Sequence, residues 1–303
     1  MATSPRFSRH FEPHHGEAVP VADNVVRITC NNPSAFTFHG TNSYIVGKDD
    51  LAVIDPGPDN QAHLDALLAH IGERPVSHIL VSHTHADHSP LARRLAAVTG
   101  AKIVGAGEHR SARPLNIGET NPLDAAADRD HVPDHEMKDG DSVAGDGWAL
   151  TAIETPGHCA NHLVFELTDT GVVFSADHVM AWATSIVAPP DGAMSDYMAS
   201  LDRLEGRGHR KYLPGHGGPV DEPDLFLRGL RTHRKMRERA VLDRVQKGDT
   251  DIAHMVAAIY QDTDPRLHGA AALSVLAHLE DLVARKLVVT DGPAALYGTY
   301  DPA

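Results

Sequence analysis

Cysteine is nearly absent from this chain of 303 residues: Cys30 and Cys159 are the only two. A disulfide framework is thereby excluded. Long apolar runs are missing as well, since segments such as 76–82 and 148–153 fall well short of the ~20 residues needed to cross a bilayer. No transmembrane span and no membrane partner are expected. The first twenty residues carry no continuous apolar stretch of signal-peptide type, and with so few cysteines the expected compartment is a reducing cytoplasm. Basic residues are in deficit, 27 Lys and Arg against 41 Asp and Glu, for a formal net charge of −14. That balance disfavours non-specific attraction to nucleic acid or anionic lipid. What remains, 42% hydrophobic and 22% charged residues, suits one or two globular domains with a sizeable core.

Histidine breaks the pattern of scarcity. There are 22, several clustered within a few residues of each other. Histidine is the commonest metal ligand and a proton carrier near neutral pH, so its spacing is where the chemistry is sought.

Up to about residue 220, short β-rich runs bounded by Gly, Pro, Asn and Asp recur at 25–30, 43–46, 51–54, 77–82, 101–104, 149–154, 162–167 and 171–175. Two helical patterns interrupt them. Leu64, Leu67, Leu68 and Ile71 fall at helical spacing in 60–71, as do Leu91, Leu95 and Val98 in 90–99. Sheets with helices packed on their faces are predicted. From about Asp221 the pattern becomes helical, at 225–246, 251–260 and 270–286. A strand at 287–290, the turn Asp291-Gly292-Pro293 and a second short strand around 296–300 complete a winged-helix pattern. Residues 221–303 hold 11 Lys and Arg and 13 Asp and Glu, so most of the negative charge lies before them. Two domains are expected: 1–220, catalytic, and 221–303, winged-helix-like. The segment 106–142 is long and poor in periodicity, as functional lids are.

After the run 77–82 comes His83-Thr84-His85-Ala86-Asp87-His88, then Ser89-Pro90, which can cap and start a helix. Four potential ligands thus sit in a strand-to-helix turn, and imidazole with carboxylate is the ligand chemistry of zinc. Three companions close further strand-like runs: Thr155-Pro156-Gly157-His158, Ser175-Ala176-Asp177-His178 and Leu213-Pro214-Gly215-His216-Gly217.

This ordered set resembles the metallo-β-lactamase superfamily, whose signature is HxHxDH followed by a His, an Asp and a His at strand ends. The resemblance covers residues ~20–220. His233-Arg234-Lys235-Met236-Arg237-Glu238 and the helices after it look like the winged-helix domain of the β-lactamase-like protein 2 group. The resemblance implies an α/β (α+β) fold, a four-layered αββα sandwich followed by a small, mostly helical winged-helix domain. It also implies two zinc ions per chain: one held by His83, His85 and His158, the other by Asp87, His88 and His216, with Asp177 bridging both. Asp87 and Asp177 become the catalytic carboxylates. Asp55, in Ile54-Asp55-Pro56-Gly57, matches the acidic residue that usually supports the ligand loop. Two dications a few Å apart need a shared anion to offset their repulsion, which agrees with a bridging Asp177.

Other residues are candidates on position alone. His162 and His178 trail motif residues closely and are candidates for donating a proton to the leaving group. Tyr197, after the turn Pro189-Pro190-Asp191-Gly192, is a candidate for the mouth of the site. Cys159 directly follows a ligand, but adjacent residues on an extended chain face opposite ways, so it is not expected to bind metal.

The superfamily hosts many reactions, and fold alone does not name a substrate. His85 stands where a flavodiiron-type relative would have Glu, which favours zinc hydrolysis over iron redox chemistry. Asp177 is a bridging carboxylate that true β-lactamases of this fold lack, so β-lactam hydrolysis is expected only as a promiscuous side activity. The expected reaction is attack of a metal-bridging hydroxide on a small-molecule ester, thioester or lactone. The alternative implied by the β-lactamase-like protein 2 resemblance is an endoribonuclease acting on single-stranded RNA, which needs a basic track. Segment 228–247 offers Arg228, Arg231, Arg234, Lys235, Arg237, Arg239, Arg244 and Lys247 against Glu238 and Asp243. The competing explanation is that this helix packs its basic face on the acidic first domain. The tail is also a candidate for homodimer formation.

Overall fold

Alternation along the strands decides the layering. The computed structural model describes residues 4–303. Its first sheet holds, in chain order, β1 (Val19–Ala22), β2 (Val25–Thr29), β3 (Asn42–Val46), β4 (Leu51–Ile54), β5 (Val76–Val81), β6 (Lys102–Gly105) and β7 (His135–Glu136). β1 to β4 pair antiparallel and β4 to β7 parallel. Parallel neighbours need crossovers, and helices α1 (Gln61–Ile71) and α2 (Leu91–Thr99) supply the first two. α1 begins where the Asn60 side chain accepts the His63 backbone N–H at 3.0 Å.

The second sheet has β8 (Ser142–Gly145), β9 (Trp148–Glu154), β10 (Leu163–Leu167), β11 (Val172–Ala176) and β12 (Lys211–Pro214), in the spatial order β12-β11-β10-β9-β8. Only β11 and β12 are parallel, joined through α3 (Met194–Leu204). Tyr44, Ile54 and Leu80 of the first sheet meet Leu150, Phe165 and Phe174 of the second in the central core. Their strand neighbours Ile45, Val53 and Ile79 face the other way, onto Leu67 of α1 and Leu95 of α2. On the far side, Val164 and Val173 pack against Tyr197 and Leu201 of α3. The layers are αββα, as the resemblance implied.

The C-terminal part comprises α4 (Pro223–Gln246), α5 (Ile252–Ile259), α6 (His268–Ala284) and the hairpin β13 (Val288–Thr290) with β14 (Tyr300–Pro302). α4 belongs to two cores. Leu227 and Leu230 complete the outer layer of the second sheet, while Val241 and Val245 join Met255, Leu276 and Tyr300 in a separate cluster. The boundary drawn at 220 therefore falls just ahead of a helix common to both. Pro265–Ala284 is apolar and long enough to cross a membrane by composition, yet Val275, Leu276, Leu279 and Leu282 are fully packed in this cluster.

Several details differ from expectation, among them the short strands β1, β7 and β8, which the expected runs did not include. The second wing strand lies at Tyr300–Pro302 rather than around 296–300, because the buried Tyr300 pairs with Thr290 and its hydroxyl donates to the Ala295 carbonyl at 2.6 Å, closing the preceding segment into a turn. α3 was not expected as a helix, although Met194, Tyr197, Leu201 and Leu204 are its buried face.

Candidate metal centre

The chemistry-bearing motifs all follow strand ends, β5, β9, β11 and β12, at one rim of the sandwich. Two non-glycine residues there have left-handed backbone: Asp55 (φ 48°) and Ala176 (φ 43°), just before Asp177. Such conformations persist only where the surroundings enforce them. Glycine is required at two points. A Cβ on Gly157 would sit 2.3 Å from the Tyr197 Cα, and one on Gly215 would meet Asp177 Oδ1 and the His88 ring at 2.6 Å.

Three nitrogens converge in the first set: His85 Nδ1 lies 3.0 Å from His83 Nε2 and 2.9 Å from His158 Nε2. Hydrogen bonds on the far side of the rings fix what those nitrogens carry. The Ser82 hydroxyl donates to Asp55 Oδ2 at 2.7 Å, so its oxygen accepts from His83 Nδ1–H at 2.9 Å. His158 Nδ1–H donates to the Ile186 carbonyl at 2.6 Å. Both Nε2 atoms therefore present lone pairs toward His85. In the second set, His88 Nδ1–H donates to Asp55 Oδ2 at 3.0 Å and His216 Nδ1–H to the Gly40 carbonyl at 3.1 Å. Their Nε2 lone pairs face carboxylate oxygens, with His216 Nε2 3.2 Å from Asp87 Oδ2. Asp177 stands between the sets: Oδ1 lies 3.4 Å from His88 Nε2 and 3.3 Å from His216 Nε2, and Oδ2 lies 3.6 Å from His158 Nε2.

Three imidazole nitrogens that meet with at most one proton among them, and lone pairs aimed at carboxylates in a buried place, repel unless a cation lies between them. His85 Nε2, His88 Nε2 and Asp177 Oδ1 are buried without a hydrogen-bond partner. The donors form groups of metal-binding dimensions: His83, His85 and His158; His83, His88 and Asp177; and Asp87, His88 and His216. The residues present thus fit divalent metal. Without it, protons take over part of the task. Burial holds His85 neutral, its pKa pushed down to about 3 with help from the adjacent His158. Burial also opposes charge on His216, but Asp177 and Asp87 outweigh it and raise its pKa to about 9. Against the same burial, the three carboxylates Asp87, Asp177 and Asp55 raise His88 well above the ordinary imidazole range.

The metallo-beta-lactamase superfamily profile matches residues 36–216, the span that holds every one of these donors. The chain belongs to this superfamily. A beta-lactamase associated winged helix domain matches 252–295. Over 294 residues, 93% of this chain and 96% of the relative, the sequence is 26% identical to a beta-lactamase-like protein 2 homolog of Drosophila melanogaster. It is also 26% identical to the atrochrysone carboxyl ACP thioesterase of a Cryptosporiopsis species, over 91% of this chain and 82% of that one. A beta-lactamase domain protein from Burkholderia ambifaria superposes with TM-score 0.78 at 20% identity, over 96% and 95% of the two chains. A superfamily protein from Thermus thermophilus superposes with TM-score 0.75 at 23% identity, over 93% and 99%.

In this metallo-β-lactamase superfamily member, the supporting residues lie behind the donors. Asp55 Oδ1 accepts the Ser82 backbone N–H at 2.7 Å, so one carboxylate holds both the turn and His88. Asp55 itself is boxed in: the Ser43 hydroxyl donates to its carbonyl at 2.6 Å, and His63 Nε2–H donates to that hydroxyl oxygen at 2.8 Å. The sequence motif gave no sign of Ser43 or His63. His162 is buried behind the donors, its ring centroid 5.0 Å from that of His83, with Nδ1 against Thr155 Oγ1. His178 is deeper still, and Tyr197, fully buried, donates its hydroxyl to the His178 carbonyl at 3.1 Å. None of these three lines the cleft above the donors, so their geometry is that of packing and positioning. Cys159 is buried with its thiol turned to Asn161 Oδ1 at 3.3 Å.

That cleft has a volume of about 700 Å³. Asp87, Asp177, His85, His158 and His216 border it, and its walls are largely apolar, with Phe36, Met180, Trp182 and Ile186 from the first part and Leu267 from the second. Leu123 and Ala126 come from the long segment 106–142. That segment is fastened by Asp191, which accepts Ser111 Oγ at 2.7 Å and Asn121 Nδ2 at 2.8 Å.

The basic residues of α4 do not form one track. Arg228 and Arg231 pair with Glu205, Arg231 also with Asp202 at 2.8 Å. Arg239 pairs with Asp243 at 2.8 Å and Arg244 with Asp249 at 2.5 Å. Arg234 is buried, and Arg237 lies at the cleft. Much of the local positive excess is thus neutralised within the fold.

Proposed function

We propose that this protein is a zinc-dependent acyl hydrolase that opens an ester, thioester or lactone in a small molecule. His83, His85 and His158 would hold one zinc ion and Asp87, His88 and His216 the other, with Asp177 shared. The observation that carries the proposal is the set of four imidazoles, His83, His88, His158 and His216, each tied at Nδ1 and each aiming an Nε2 lone pair inward. When bound, a zinc pair polarises a carbonyl and lets water ionise near neutral pH.

The chain supplies the rest. Asp177, whose two oxygens face the two donor sets, sets negative charge between them. Asp87 lies at the cleft floor with its side chain a quarter exposed, where it can accept a proton from attacking water. The apolar walls bind the acyl group and keep bulk water from the carbonyl. Two things favour an acyl substrate over RNA: a phosphate track needs a row of free cations, whereas Arg228, Arg231, Arg239 and Arg244 are paired with carboxylates, and one relative aligned over most of both chains is named a thioesterase.

Metal analysis of the purified protein, combined with a panel of chromogenic ester, thioester, lactone and phosphodiester substrates, tests this. Close to two zinc ions per chain and turnover of an acyl substrate are expected. Metal content near zero with no activity gained on adding zinc, or turnover of phosphodiesters alone, overturns it.

A further inference from the structure

The cleft lining is chemically mixed. Asp87 and Asp177 border it, and α4 contributes His233, Arg234 and Arg237. Arg237 differs from its neighbours on that helix. Arg228, Arg231, Arg239 and Arg244 each reach a carboxylate, whereas the partly buried Arg237 has none within ion-pair distance among the described residues. Its guanidinium lies 4.6 Å over the Tyr260 ring and donates a single N–H to the Ile259 carbonyl, at 3.3 Å. Stacking and that one bond fix the plane of the group and leave its other donors without a partner. Beside it, Arg234 Nε and His233 Nδ1 are buried without partners.

A cation held rigid, partly desolvated and unpaired is what anion recognition requires, because ordering the group has already been met by the fold. The charge count selects the anion. No lysine lines the cleft, Arg234 is committed to the Ser185 carbonyl, and burial, then Arg234 and Arg237, hold His233 neutral with a pKa pushed down to about 4. One free guanidinium matches one carboxylate and is too little for a phosphate dianion.

Resting on the acyl hydrolase assignment, we propose that Arg237 forms a carboxylate-recognition subsite. The preferred substrate then carries a second, non-reacting carboxylate on its acyl part, with an apolar segment between that group and the scissile carbonyl, lying along Met180, Trp182 and Leu267. A substrate lacking the carboxylate leaves the guanidinium desolvated and unpaired, which is how such sites reject neutral analogues.

The test uses the zinc-loaded 303-residue chain, its Arg237→Gln and Arg237→Lys variants, and nitrophenyl half-esters of dicarboxylic acids of graded length. Each is paired with an ester whose far end is a methyl group. Arg237→Gln is expected to raise KM about ten- to a hundred-fold for the best carboxylate ester, with kcat little changed and the methyl-ended ester unaffected. Arg237→Lys should fall between, since an ammonium cannot fork. Quenching of tryptophan fluorescence, Trp182 lining the cleft, reads binding of the matching half-amides without turnover. Equal KM for both ester series in the parent protein, or half-amide binding unchanged in Arg237→Gln, overturns the subsite. So does equal damage to both series, which marks a packing role against Tyr260, or tighter Arg237-dependent binding of a phosphonate-ended amide. If neither ester series nor a thioester is hydrolysed but half-amide binding still depends on Arg237, the subsite stands and the acyl hydrolase assignment falls.

Discussion

The guanidinium of Arg234 lies 4.9 Å over the ring of Tyr197. An arginine of the C-terminal part is thereby sealed into the first, at 3% exposure. It donates to the Ser185 carbonyl, and the next residue, Ile186, accepts the Nδ1–H of His158. The orientation of an imidazole of the donor set thus depends on a helix that lies outside the lactamase-like segment.

Arg234→Gln should therefore act twice. Loss of a buried charged donor is expected to lower stability by about 2 kcal/mol, visible as a lower thermal midpoint. Freed of its anchor, the 185–186 backbone should also loosen His158 and weaken one zinc by about ten-fold, read by competition with a chelator. Unchanged zinc affinity in a destabilised variant would sever the link.

Asp55→Asn removes the charge that accepts from the Ser82 amide, the Ser82 hydroxyl and His88 together. Zinc affinity is expected to fall about 10- to 100-fold, the usual effect of losing such an outer partner. The same chelator titration reports it.

Asp177 and Cys159 make a contrasting pair. Asp177→Ala strips the anion between the donor sets and should abolish most turnover and one zinc per chain. Cys159→Ala should keep both, because burial pushes the thiol up, away from thiolate, and its sulfur faces Asn161. A metal lost from Cys159→Ala alone would refute the assignment of ligands.

Acid should destabilise the fold through neutral, buried histidines. Burial pushes His63 down to about 4, and burial followed by Arg234 pushes His278 down to about 3. A histidine with a depressed folded pKa takes up its proton more readily when unfolded. Its contribution is complete above pH ~6.5 and is lost as pH falls toward the folded value, at up to about 1.4 kcal/mol per pH unit per group. His278→Leu should flatten the decline in urea-unfolding free energy between pH 6.5 and 4. An identical slope in parent and variant would show that His278 takes no part.

The donors were legible because HxHxDH and its three companions are local in sequence, and the sandwich because β-rich runs and helix-spaced leucines declare themselves. What stayed hidden was non-local. Ser43 and His63 support Asp55 from another strand and a helix. Tyr197 read as a residue for the mouth of the site, yet the close approach allowed by Gly157 buries it beneath the loop. The arginines of α4 read as a row of charge, and only the distant partners of Arg228 and Arg231, Glu205 and Asp202, show that these two are not free.

α4 takes part in the outer layer of one core and the interior of another, so the chain is modular in sequence but not in packing. Cutting it at residue 220 would uncover Leu201 and Tyr197 on one fragment and leave half a helix with a naked apolar stripe on the other. Removal of everything after residue 220 therefore takes away the flank of the second sheet, and the footing of His158 with it.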